Sequence, residues 1–168
     1  MELKTLIVVG LLAVLGATAF FISQGAFNPA PEMRTASETR MAETVEADLS
    51  LYERLGGVDA IRAVVADFAQ RLFDDPELDP FFGSLNAQRQ QRFIDLNVDF
   101  LCQAAGGPCV YTGRSMFDAH RGLGTTNDIF NLVGQHLRDT LAQFNVPSRE
   151  RGEILALIET TRDDIVEE

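Results

Sequence analysis

Residues 106–124 read GGPCVYTGRSMFDAHRGLG, and the rest of the chain is arranged around them. Gly106-Gly107-Pro108 stops a helix, and Gly122 and Gly124 loosen the backbone at the far end. Between these breaks the pattern predicts a loop ending in a very short segment, 115–121, with His120 at its end. His120 is one of only two histidines in the chain. A neutral imidazole on a short, glycine-bounded element can reach a metal from one side, which makes His120 the first candidate metal ligand. Cys102 and Cys109 flank the Gly-Gly-Pro break. Together with His120 they match no recognised zinc spacing.

Outward from this stretch the apolar residues fall at helical intervals. Leu51-Tyr52-Glu53-Arg54-Leu55 is one short amphipathic turn, ended by Gly56-Gly57. A helix is expected over 58–74, with Ile61, Val64, Val65, Phe68, Leu72 and Phe73 on one buried face. Asp75-Pro76 ends it, and Asp79-Pro80-Phe81-Phe82-Gly83 makes a tight corner. The next helix, 87–105, places Phe93, Leu96, Asn97, Phe100, Leu101 and Ala104 on one face. After the His120 loop, Thr125 or Thr126 caps a helix to 145 whose face is Ile129, Leu132, Val133, His136, Leu137, Leu141 and Phe144. Pro147-Ser148 starts a last helix with Ile154, Leu157, Ile158, Thr161 and Ile165 inward. No alternating strand pattern appears. The expectation is an all-α domain at 49–168 made of two long helix pairs.

Composition narrows the function. The chain has 168 residues and carries 14 basic against 25 acidic side chains, a net charge of −11, which argues against binding nucleic acid or anionic lipid. Twelve phenylalanines with no Trp and only two tyrosines mean much apolar ring surface to bury, against itself or against a flat apolar ligand. Residues 5–22, TLIVVGLLAVLGATAFFI, hold no charge, and as a helix at about 1.5 Å per residue they would span about 27 Å. The segment 1–22 is read as a single transmembrane anchor. The alternative is a signal peptide cut after Ala17-Thr18-Ala19, a poor context because Phe20-Phe21-Ile22 follows. Residues 23–48 are a linker, with Pro29 and Pro31 breaking any continuing helix. If the domain is exported, Cys102 and Cys109 can form a disulfide; if it faces the cytosol, both are thiols.

The set Leu51-Tyr52-Glu53-Arg54-Leu55-Gly56-Gly57, Phe81-Phe82, Gly106-Gly107-Pro108, Tyr111-Thr112-Gly113, Met116 and His120 resembles, in order and spacing, the group I truncated haemoglobins over about residues 50–166. The resemblance implies a truncated globin two-over-two helical sandwich around haem b, iron protoporphyrin IX. It implies His120 as proximal iron ligand and Phe82 on the porphyrin face. His120 should bind iron through one ring nitrogen and donate the other N–H to a backbone carbonyl, which fixes its tautomer. A flat apolar cofactor needs greasy walls. The candidates are Phe82, Phe93, Leu96, Leu101, Met116, Leu123, Phe130, Val133 and Leu137. Arg89, Arg92, Arg114 and Arg121 are candidates for the propionates. His136 is read as a satisfied core histidine.

The distal side departs from the family pattern. Where group I members usually carry a tyrosine, after the phenylalanine equivalent to Phe68, this chain has Ala69. Where many have a glutamine it has Asn97, whose amide is expected to donate to a bound ligand. Leu96 cannot ligate iron. The function implied is reversible binding of dioxygen or another diatomic gas, the chemistry of oxygen transport, with no catalytic residue assigned. The alternatives are nitric-oxide dioxygenation, which calls for a reductase as partner, and a membrane-tethered gas or redox sensor.

Overall fold

The computed structural model describes residues 48–167. Among them the elements are helices joined by loops: α1 (Leu51–Arg54), α2 (Gly57–Asp74), a 3₁₀ turn (Pro76–Leu78), α3 (Asp79–Phe82), α4 (Ala87–Ala104), α5 (Met116–His120), α6 (Asn127–Gln143), α7 (Ser148–Glu159) and α8 (Arg162–Ile165). Helix α2 packs on α4 and on α6, and α6 packs on α7. This is the two-over-two helical sandwich expected. The span at 5–22 and nearly all of the linker at 23–48 lie outside the described residues, among which no helix is long and apolar enough to cross a membrane.

Local chemistry explains where the helices begin. Ser50 and Glu53 form a reciprocal capping box at α1, with Ser50 N donating to the Glu53 carboxylate at 2.8 Å and Glu53 N donating to Ser50 Oγ at 3.2 Å. Asn86 caps α4, Ser115 caps α5 and Thr126 caps α6, each side chain accepting from the backbone N–H three residues on. Arg54, at the end of α1, reaches α7. It donates to Glu150 at 2.8 Å and to Glu153, and its third contact is the Leu49 carbonyl at 2.9 Å. The Arg54 and Glu150 side chains are both almost fully buried. Removing either partner would leave the other charge uncompensated, which is costly.

Helix α4 has two apolar faces where the pattern predicted one. Val98 and Cys102 are fully buried and cluster with Ile61 and Val65 of α2. Phe93, Leu96, Phe100 and Leu101 instead look into a cavity, and Ala104, expected inward, is exposed. At its end Gly106 adopts φ 85°, and Gly107 N donates back to the Cys102 carbonyl at 2.8 Å. That is a glycine-terminated helix closure. Gly107 has a different reason to lack a side chain. A Cβ there would lie 2.4 Å from the Tyr52 ring and 2.8 Å from the Cys102 carbonyl. Cys102 and Cys109 are joined as a disulfide across this turn.

The C-terminal helix expected as one continuous element is two. Thr160 and Thr161 each donate a side-chain hydroxyl to the carbonyl three residues earlier, both at 2.7 Å. Such bonds compete with the helix ladder and bend or end it. The break turns α8 back against α5, the element that carries His120.

Candidate functional site

The cavity between the helix pairs has a volume of about 470 Å³, within the range that encloses a cofactor-sized ligand. All eleven residues singled out from the sequence line it: Phe82, Phe93, Leu96, Asn97, Leu101, Met116, His120, Leu123, Phe130, Val133 and Leu137. Phe130 and Leu137 are buried in its wall, whereas Leu123 is 51% exposed at the surface. Residues not foreseen as walls include Phe68, Leu72, Phe81, Phe100, Tyr111, Ile129, Ile158, Thr161 and Ile165. Phe68, Leu72, Phe100, Ile129, Ile158, Thr161 and Ile165 fall on the inward faces that periodicity predicts, so the signal is present and only its destination is missing.

His120 is held by its own short helix. Its Nδ1 lies 2.8 Å from the Met116 carbonyl oxygen. A carbonyl can only accept, so Nδ1 carries a proton, and in the neutral ring Nε2 is then the nitrogen with the lone pair. Ser115 places that helix: its hydroxyl accepts from Asp118 N at 3.1 Å and donates to the Asp118 carboxylate at 2.8 Å. Immediately after His120, the backbone N–H groups of Gly122 and Gly124 both donate to the Glu167 carboxylate, at 2.5 and 2.8 Å. The N–H groups of Gly122 and then Gly124, with the Arg121 charge nearby, hold the Glu167 carboxyl below the usual carboxylate range. Glu167 N in turn donates to the Thr125 carbonyl at 2.9 Å. The loop is therefore clasped by the far end of the chain.

Aromatic contacts build the opposite wall. Phe73, Phe82 and Phe93 meet edge to face with centroids 5.7, 5.7 and 5.3 Å apart. Such pairs prefer this geometry over a face-to-face stack. Tyr111 stands over Gly113, where a Cβ would come within 2.2 Å of the phenol oxygen, and its hydroxyl donates to the Arg114 carbonyl at 2.8 Å. The Tyr-Thr-Gly spacing is thus a packing requirement. Arg162 lies 4.2 Å above the Phe130 ring and donates to Asn127 at 2.7 Å and Asn131 at 2.9 Å.

The Asn97 amide, expected to donate to a ligand, gives one of its two N–H groups to the Phe93 carbonyl, Nδ2 lying 2.9 Å from that oxygen, which leaves the second for another acceptor. A side chain four residues along the same helix meets that carbonyl without any tertiary rearrangement, and the bond engages one of its N–H groups. Of the four arginines considered for an anionic edge, Arg114 alone lines the cavity; Arg121 instead lies over the Phe117 ring, 5.7 Å from its centroid. His136 lies off the cavity and donates through Nε2 to Asp75 at 2.7 Å. That bond lowers the Asp75 carboxyl, with the Glu77 N–H helping. Ala69 is fully buried. Cys102 and Cys109, being bonded to each other, are not thiolates that could join His120 on a metal.

Comparison with known proteins agrees with this geometry. The bacterial-like globin family matches residues 50–167. A group 1 truncated hemoglobin of Mycolicibacterium paratuberculosis is 38% identical over 126 residues, covering 75% of this chain and 88% of that protein. The crystal structure of a truncated hemoglobin from Tetrahymena pyriformis in the Fe(III) form superposes with a TM-score of 0.66 at 30% identity, covering 71% of this chain and 100% of that one. A 2/2 hemoglobin of Synechococcus, in the cyanomet state with covalently attached heme, gives a TM-score of 0.63 at 29% identity, covering 70% of this chain and 98% of that one.

Proposed function

The chain belongs to the bacterial-like globins, among the group 1 truncated haemoglobins, and on that premise we propose that it holds haem b through His120 and reversibly binds dioxygen or another diatomic gas there. The observation that carries the reading is the His120 tautomer, with Nδ1–H bound to the Met116 carbonyl and the Nε2 lone pair left for a metal. The residues fit the group. The lining is predominantly hydrocarbon, with one imidazole and one lining arginine, Arg114, to meet an anionic edge. When bound, the haem supplies an iron whose remaining position takes the gas.

The chain's own residues do the rest. Ser115, Asp118 and Glu167 orient the short helix and the turn beyond it, so the imidazole arrives already aimed. Phe82, Phe93, Leu96 and Leu101, with Phe130, Val133 and Leu137 of α6, would surround the cofactor with hydrocarbon and exclude water from it. Nitric-oxide dioxygenation and sensing each call for a reducing or signalling partner, and no feature of the site favours either over binding.

The location forms part of the proposal. The uncharged stretch 5–22 is assigned as a single N-terminal anchor, 23–48 as its linker and 49–168 as the displayed domain. The Cys102–Cys109 disulfide supports an oxidising compartment for that domain. Amino-terminal sequencing of the mature, membrane-extracted chain tests this; a chain beginning after Ala19 would replace the anchor with a cleaved signal.

The functional test is spectroscopic. Full-length protein reconstituted with haem is expected to show a Soret band that shifts on reduction and again with carbon monoxide. His120→Ala is expected to lose it or bind haem far more weakly. Wild-type protein that takes up no haem would overturn the proposal.

A further inference from the structure

The segments that wall the cavity differ in how they are fastened. Helices α2, α4 and α6 have 18, 18 and 17 residues, and α2 packs on both of the others, so parting them means unfolding the domain. The loop that carries Tyr111 and Arg114 is stapled at its start by the Cys102–Cys109 disulfide. The corner that carries Phe81 and Phe82 is held by the Phe73, Phe82 and Phe93 rings and by the His136–Asp75 bond at 2.7 Å. The C-terminal strap, 160–167, brings Thr161 and Ile165 to the same cavity on polar contacts. It leaves α7 at the Thr160-Thr161 break and is tied close to that break by Arg162, to Asn127 at 2.7 Å and Asn131 at 2.9 Å. Its far end is tied through Glu167, whose exposed carboxylate accepts from Gly122 and Gly124 at 2.5 and 2.8 Å. Leu123, between those two glycines, lines the cavity and is 51% exposed. The cavity therefore reaches the surface at the point the carboxylate closes.

We propose that the strap 160–167 is the door through which haem enters and leaves the domain, with the Glu167 carboxylate as its latch. The inference rests on the haem reading above and adds how the cofactor is exchanged. A rigid, flat macrocycle leaves only when one wall moves aside as a unit, and opening a weakly held segment costs far less than unfolding the domain. The four residues of α8 are too few to fix a helix in place by their own ladder, so the closed position depends on the two polar ties. The Arg162 tie sits beside the Thr160-Thr161 break, where a hinge belongs, and the Glu167 tie sits at the end that swings. The same carboxylate secures the turn after His120. Unlatching it thus loosens the iron ligand and opens the exit in one event.

The test uses full-length, haem-loaded protein and two readouts. One is the rate of haem transfer to excess apomyoglobin, followed in the Soret band. The other is amide hydrogen exchange of the peptide covering 160–167. Glu167→Ala should speed haem transfer by about tenfold and exchange in the strap by a similar factor, as expected for losing two solvent-exposed hydrogen bonds. Glu167→Gln, whose amide oxygen still accepts but carries no charge, should fall between that variant and wild type. Gly107→Ala disturbs the end of α4, away from the strap. It should unfold at lower urea concentration yet release haem within about twofold of the wild-type rate. Haem transfer from Glu167→Ala within about twofold of wild type would overturn the proposal, whatever the strap's exchange does. Equal acceleration in Gly107→Ala would overturn it too, because haem would then leave through general loosening of the domain. A chain that takes up no haem fails the haem reading, and this inference falls with it; a normal Soret band with transfer indifferent to Glu167 fails this inference only.

Discussion

On the His120 side of the cavity the backbone is secured by polar contacts; on the α2/α4 side it is secured by helices and packing. The five residues of α5 are too few to hold a helix by themselves. Ser115, Asp118 and Glu167 supply what the ladder cannot, and Arg162 fastens α8 behind them through Asn127, Asn131 and the Phe130 ring. The opposing wall needs no such help. Helices α2 and α4 have 18 residues each and satisfy most of their own backbone groups, so Phe93 of α4 can meet Phe73 of α2 directly, and Phe82 at the end of α3 joins the pair. The difference teaches where precision is required. One imidazole nitrogen has to be aimed, whereas the far wall has only to be dry and of the right shape.

The largest expected effect tests the aimed nitrogen. His120→Gly should abolish the Soret band of the purified protein, and millimolar imidazole should restore much of it by filling the space left behind. A glycine variant with an unchanged spectrum and no added imidazole would mean the metal is held elsewhere, and the contrast between the two sides would collapse.

Next comes a packing test at the end of α4. Gly107→Ala forces a methyl to within 2.4 Å of the Tyr52 ring and 2.8 Å of the Cys102 carbonyl. Overpacking of this kind costs about 1–3 kcal/mol, and the upper half is expected because a backbone oxygen cannot swing aside. Urea unfolding reads it. Wild-type stability would show that this helix end is looser than its contacts suggest.

Replacing both cysteines by serine should lower stability by about 2 kcal/mol, the loop-closure value for so short a ring. The haem spectrum should stay as it is, because neither cysteine lines the cavity. A large spectral change would show that the staple reaches the cavity through Leu101 or Tyr111.

The smallest effect is at Glu167. Its folded carboxyl is held below the ordinary value, so its contribution to stability is present above the unfolded value of about 4.3 and disappears as pH falls through the lower, folded one. Glu167→Gln should therefore be less stable than wild type at pH 7 and indistinguishable near pH 2. Salt should narrow the gap at neutral pH, since the carboxylate is exposed. Equal thermal midpoints at pH 7 would remove the clasp from the account of the His120 side.

Much of this was legible along the chain because its causes are local. Helix α2 was read nearly to the residue, since Ile61, Val65, Phe68 and Leu72 recur at one helical interval and Asp75-Pro76 ends the run. Helix α4 was read half correctly. Periodicity located Phe93, Leu96, Asn97 and Leu101 but missed Val98 and Cys102, because a helix between a cavity and a neighbour carries two apolar stripes. The break at Thr160-Thr161 leaves only a weak sequence signal, because threonine hydroxyls bond the preceding turn in unbroken helices as well. The position of Asn97 on the cavity face is legible in the sequence, whereas its bond from one of two N–H groups to the Phe93 carbonyl is seen only in the structure. The Glu167 clasp joins residues 43 and 45 positions apart, and no spacing rule connects them.

By itself the sequence determined the helices, the glycine breaks between them and the one histidine set apart on a short element. These follow from side-chain periodicity, caps and backbone freedom, all of which act within a few residues. Only the tertiary structure decided that α4 faces two ways, that the two cysteines meet, that Glu167 returns to the histidine turn and that Arg114 alone of the four arginines lines the cavity. Those outcomes depend on which distant segments share space, and that is settled by packing the whole domain at once rather than by any one segment's preferences.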